Sequence, residues 1–210
     1  MKVCLVDSRV KESTTFLNAV QDGVTAILID YETDTFDSLL AKIGSVESIA
    51  YVAHGTFSPT YSFFKDSSFD MLVKSDWQPF FDFLSAINGL QFFDFLGCSL
   101  ASDDRWKQVF LWIEETGVNV RASIDVTGNL ASGGNWILED GSVDAKELYF
   151  TNLDSFHGLL DQSQHVVYMK GNALYGYGNN SNGQLGNGNT TNMTTEATCL
   201  FSTTLSLIHI

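Results

Sequence analysis

Two short apolar runs of the same build, Ser48–Gly55 (SIAYVAHG) and Gln91–Ser99 (QFFDFLGCS), constrain this chain most. Each is apolar at odd and even positions alike, the pattern of a strand buried on both faces. One ends in His54-Gly55 and the other in Gly97-Cys98. Lys2–Val6 and Val24–Asp30 read as two further buried strands, and Val118–Ala122 as a fifth, short one. Helical periods lie between them. Thr14–Val20 is a short helix. Phe36, Leu39, Leu40 and Ile43 share one face, with Gly44 placed to end it. Trp77, Phe80, Phe81, Leu84 and Ile87 share another, with Ser75 suited to the N-cap, Pro79 in the first turn and Asn88-Gly89 as the stop. Trp106, Val109, Phe110 and Ile113 belong to a helix over Ser102–Thr116. Thr56–Lys74 reads as a long loop with a short hairpin, and Asn135–Glu139 and Glu147–Phe150 as later strands. Strands alternating with helices predict an α/β domain, a mostly parallel sheet with helices on both faces, over residues 1–150.

In open sheets of this kind, reactive residues gather beyond the carboxyl ends of the strands. His54 and Cys98 both reach that rim. Were their strands neighbours, about 4.8 Å would separate the backbones. A thiol attacks as thiolate, and the following helix N-terminus would lower the Cys98 pKa. His54 would take the thiol proton and return it to a leaving amine. The N–H groups of Gly55 and Cys98 are natural oxyanion donors, and a glycine at 55 admits a scissile carbonyl. Asp125, beyond the fifth strand, and Asp94, within an apolar strand, are candidates to face a basic substrate side chain. A turn cap is the plainer reading of Asp125, and Asp94 needs a buried partner.

Charge excludes other classes. Eleven Lys and Arg against 25 Asp and Glu give a net charge of −14, which repels phosphate backbones and anionic lipid, so neither nucleic acid nor a membrane is an expected partner. No window approaches the roughly 18 apolar residues of a membrane span, and the opening residues read as a strand, not a signal peptide. Cys4, Cys98 and Cys199 form no disulfide or metal framework. His157, His165 and His209 have no zinc-like spacing. Asp7-Ser8-Arg9 is no Gly-rich phosphate loop. No metal and no cofactor is expected.

From residue 151 the character changes. Residues 151–164 read as a linker, and residues 165–204 as a partial repeat rich in Gly and Asn. Val166–Asn192, above all YGYGNNSNGQLGNG, resembles one repeat of the regulator-of-chromosome-condensation type, which implies a blade of a β-propeller. One blade cannot bury its own faces, so the chain reads as the front of a longer protein. Leu205–Ile210 (LSLIHI) reads as a non-native tail.

The first 150 residues resemble the domain of unknown function four-three-four-seven. The matching segments are AHG (Ala53–Gly55), LGCSLA (Leu96–Ala101), DVTGN (Asp125–Asn129) and GGNWILE (Gly133–Glu139). That family stands near the start of large, repeat-rich bacterial surface proteins, which implies a secreted or cell-surface setting. Its His-Gly and Gly-Cys placement is similar to the caspase-like cysteine peptidases, although the context Leu96-Gly97-Cys98-Ser99 departs from the Q-A-C-x-G signature. The resemblance implies a cysteine endopeptidase acting on a protein or peptide, with Cys98 as nucleophile and His54 as base. The alternative is a non-catalytic interaction or adhesion module on a caspase-like scaffold, with Cys98 merely packed.

Overall fold

The computed structural model describes residues 1–56, 58–160, 165–170, 173–178, 180, 185–191 and 193–198. The chain divides into two compact units, Met1–Asp161 and Gln162–Ile210. In the first, the elements run β1 Lys2–Asp7, α1 Ser13–Ala19, β2 Val24–Ile29, α2 Phe36–Lys42, β3 Ser48–Val52, β4 Thr60–Tyr61 and β5 Phe69–Asp70. They continue with α3 Gln78–Ala86, β6 Phe92–Leu96, α4 Asp104–Glu114, β7 Asn119–Ala122, β8 Ile137–Leu138, β9 Val143–Asp144 and α5 Ala145–Tyr149.

Five strands form one sheet in the order β2-β1-β3-β6-β7, every neighbouring pair parallel. The most apolar runs, β3 and β6, lie inside it and are buried along almost their whole length. VTAILI reads like another such run, but β2 is an edge strand: only Ile29 is fully buried and Leu28 is exposed. An apolar run does not by itself distinguish a central parallel strand from an edge one.

Side-chain alternation sends odd and even residues of β3 and β6 into different cores. Ile49, Tyr51, Phe93 and Phe95 join α2, α3, α4 and the β4–β5 hairpin in an aromatic core around Trp77 and Trp106. There Phe63 stacks on Phe80 with centroids 4.6 Å apart. Both indole N–H groups are satisfied inside it, Trp77 by the carbonyl of Asp70 and Trp106 by that of Thr56, so the rings are buried without stranding a donor. On the opposite face, Ala50, Val52, Leu96 and Cys98 pack with α1, α5, Leu138, Leu153, Phe156 and Leu160. Helices thus cover both faces.

Several local expectations change. Ser75 is no N-cap: Lys74–Trp77 is a 3-10 turn, and α3 opens after Trp77 with Pro79 in its first turn. Glu147–Phe150 is not a strand, because the Asp144 carboxylate accepts from the N–H groups of Lys146 and Glu147 and starts α5. Residues 151–160, read as linker, pack into the first unit, with Leu153, Phe156 and Leu160 buried. The helix expected from Ser102 opens at Asp104, after the 3-10 turn Leu100–Ser102.

The second unit contains β10 His165–Lys170, β11 Ala173–Gly178 and β12 Met193–Thr198 in an antiparallel sheet. The buried Asn180 side chain donates to the carbonyl of Asn189 and accepts from Leu185 N–H, organising the loop between β11 and β12. Parts of the expected repeat, together with Cys199 and the 205–210 tail, lie outside the described residues. Among the described residues no helix is long and apolar enough to cross a membrane.

The start of α4 yields a pH-resolved test. Asp103 accepts from the N–H groups of Arg105 and Trp106 and pairs with the Arg105 guanidinium. Burial pushes its carboxyl up, but Arg105 and these N–H groups outweigh that and hold it below the usual range. Its stabilisation is therefore complete above the unfolded-state pKa of about 3.9 and fades as pH falls through the lower folded value. Asp103→Ala is expected to cost about 1 kcal/mol near neutral pH, a deficit that closes on acidification. Urea unfolding across a pH series measures it, and a deficit that widened in acid would contradict the assignment.

Candidate functional site

The site is built where β3 and β6 run out. Their register pairs Val52 with Leu96, and the ladder continues one residue further, from Ala53 N–H to the Leu96 carbonyl at 3.2 Å. Two residues beyond the paired ends stand His54 and Cys98. Cys98 lies on the same face as Val52 and Leu96, and His54 follows Val52 by two residues, just past the end of β3. Cys98 is 4% exposed and His54 half-buried.

Beyond the sheet the two loops press together. A Cβ on Gly55 would lie 2.2 Å from the Cys98 carbonyl oxygen, and one on Gly97 would lie 3.1 Å from the carbonyl of Ala53. Only a residue without a side chain allows the first approach. The approach aims two amides at one point: the N–H groups of Gly55 and Cys98 both donate to the carbonyl oxygen of Leu160, at 2.9 and 3.1 Å.

Residues 158–160 reach that point through a single antiparallel bridge. Leu160 N–H donates to the Thr127 carbonyl at 2.8 Å, Asn129 N–H donates to the Gly158 carbonyl at 3.0 Å, and Gly128 pairs antiparallel with Leu159. Gly128 sits at φ +146°, and a Cβ there would lie 2.7 Å from the Gly158 carbonyl; one on Gly134 would lie 2.8 Å from the Leu159 side chain. Both glycines are the floor on which the segment lies. Asn129 and Ser132 donate side-chain hydrogen bonds to the carbonyls of Phe156 and His157. The Cys98 thiol meets the same wall: Sγ accepts from Thr127 N–H at 3.2 Å and donates to its carbonyl at 3.4 Å.

The remaining sequence candidates are placed as follows. Asp125 is exposed, its carboxylate accepts from Ser123 Oγ and Asn135 Nδ2, and its carbonyl accepts from Ser99 N–H and Oγ, so it ties the loop after β7 to the one after β6. Asp94 is not brought to the rim. It lies in mid-β6 with no exposure, pairs through both oxygens with Arg121 at 2.6 Å and accepts from Tyr149 Oη. Burial pushes its carboxyl above the ordinary range in spite of those hydrogen bonds. The first N–H groups of α4 are taken by Asp103, five residues past Cys98, so that helix end does not bear on the thiol. Cys4 is wholly buried, and burial pushes its thiol far above the ordinary range. Among the described residues no three His, Cys, Asp or Glu side chains group as metal ligands.

Leu160, Thr127, Gly128 and Gly134 were not among the sequence candidates. The apolar residues of the supposed linker (Leu153, Phe156, Leu159 and Leu160) were the available signal, since an exposed tether has no use for them.

A protein-family model described as "Domain of unknown function (DUF4347)" matches residues 3–160. No curated protein and no solved structure matches the chain.

Gly55→Ala is expected to lower stability by about 1–3 kcal/mol, since the backbone of Cys98 must move to admit the methyl group. Gly44→Ala, whose Cβ would meet only the end of Met1 at 3.7 Å, serves as control and stays within about 0.5 kcal/mol of the parent. Denaturant unfolding of both variants checks the contrast.

Proposed function

The chain belongs to the DUF4347 family, and from that premise we propose that its first unit is a caspase-like cysteine peptidase module, with Cys98 as nucleophile and His54 as base. The observation that carries this reading is the pair of N–H groups, one from each strand-end loop, that meet at a single carbonyl oxygen beside the thiol. Two preorganised donors aimed at one oxygen are what a tetrahedral intermediate of acyl transfer requires. They come from the residue after His54 and from Cys98 itself, and this adjacency in the chain is what supports pairing the two donors with that base and that nucleophile.

In this mechanism His54 accepts the thiol proton, Sγ attacks the carbonyl carbon, and Gly55 and Cys98 N–H hold the oxyanion. His54 then protonates the departing amine, and water releases the acyl group. The Thr127–Asn129 edge pairs with an extended substrate by main-chain hydrogen bonds, as in β-strand addition. No resident metal or cofactor takes part. The same reading makes the antiparallel second unit the start of a propeller-type repeat array, in the secreted or cell-surface setting that the family resemblance implies. The competing reading, a non-catalytic interaction module, draws on the 4% exposure of Cys98.

Iodoacetamide separates the two. In the Phe156→Ala chain, which loosens residues 156–160 over the thiol, Cys98 is expected to alkylate at least about tenfold faster than Cys4 near neutral pH. Adding His54→Ala removes that advantage. Equally slow labelling of both cysteines, read by peptide mass spectrometry, sinks the peptidase reading in favour of the interaction module.

A further inference from the structure

The oxygen held by the two donors is not a solvent site. It is the peptide carbonyl of Leu160, the acyl half of the Leu160–Asp161 bond. Its surroundings treat that residue as a substrate is treated. Leu160 N–H bonds to the Thr127 carbonyl, the same carbonyl to which the Cys98 thiol donates. The residues before it pair antiparallel with Gly128 and Asn129. Its side chain is fully buried in the apolar core that contains Cys98. The second compact unit begins at Gln162, two residues further on.

We propose that this chain is its own substrate: the module cleaves the Leu160–Asp161 bond in cis and separates the α/β unit from the repeat-bearing unit. The inference rests on the peptidase reading above and adds the bond and the preference. The preference is for leucine on the acyl side, where the sequence had suggested a basic residue facing Asp125. Sγ bonds to the Leu160 carbonyl carbon as the C–N bond to Asp161 breaks. The thiol proton passes through His54 to the Asp161 nitrogen, leaving a thioester at Cys98. One water then hydrolyses the thioester to a Leu160 carboxylate and restores the thiol, so a peptide bond and a water are consumed and no oxidant or reductant is needed.

The test uses the full 210-residue chain, followed by intact mass and amino-terminal sequencing. The parent is expected to yield two fragments, the second starting at Asp161, at a rate unchanged by tenfold dilution. Cys98→Ala, or Cys98→Ser should the alanine variant not fold, stays whole. Leu160→Lys, which asks an apolar site to bury a charge, slows the cut by more than about 100-fold. Cleavage at another bond, or a rate that rises with concentration, overturns the assignment. A parent chain that stays whole while leucyl chloromethyl ketone alkylates Cys98 overturns self-cleavage and leaves the peptidase reading standing. A chain that stays whole and unmodified sinks both.

Discussion

One backbone approach, Gly55 against Cys98, governs everything beyond the sheet rim. Inside the ladder, hydrogen bonds fix the spacing of β3 and β6, but past Val52 and Leu96 nothing in a parallel pair obliges the chains to stay together. They stay because position 55 carries no side chain and position 97 carries none either, so each loop lies against the backbone of the other. The two amides then point to one side of the rim. A side chain at 55 would part the loops, and with them the two donors, while leaving the sheet below intact.

The register that aligns these loops is pinned from beneath. Asp94 in β6 faces Arg121 in β7 and Tyr149 in α5, and Tyr149 Oη also bonds Ser48 in β3. On either side of Asp94, Phe93 and Phe95 enter the aromatic core. A slip of one residue would exchange these faces and drive an unpaired carboxylate among the aromatic rings. Such a buried ionic group adds little net stability, yet it penalises every pairing but one, and that pairing sets His54 level with Cys98. The acidic residue within an apolar strand thus acts on the site through alignment, not through contact with a substrate.

Strand existence and the placing of His54 and Cys98 at strand ends were legible because they depend on local pattern: a short apolar run closed by a glycine next to a histidine or a cysteine. The hairpin after β3 and the Trp77 and Trp106 cores were legible for the same reason. What was not legible depends on pairing at long range. The exposure of β2 follows from its place at the edge, which VTAILI does not encode. ELYF is apolar and aromatic like a short buried strand, and only the Asp144 cap turns it into α5. Leu160 meets Gly55 and Cys98 across a large stretch of intervening chain, and no spacing rule links them. DVTGN and GGNWILE stood out as segments, but the use of their glycines, as a bed for residues 158–160, appears only when that stretch is laid on them.

The antiparallel seat of residues 158–160 has a consequence for kinetics. A new carboxylate at Leu160 would be tethered to the domain by the buried Leu153 and Phe156 and would remain between two amide donors suited to negative charge. The freed end would compete with any incoming peptide at an enormous local concentration. If the chain cuts itself there, it would behave like a fuse, spent once per molecule, and its output would be the timing of a separation, not turnover.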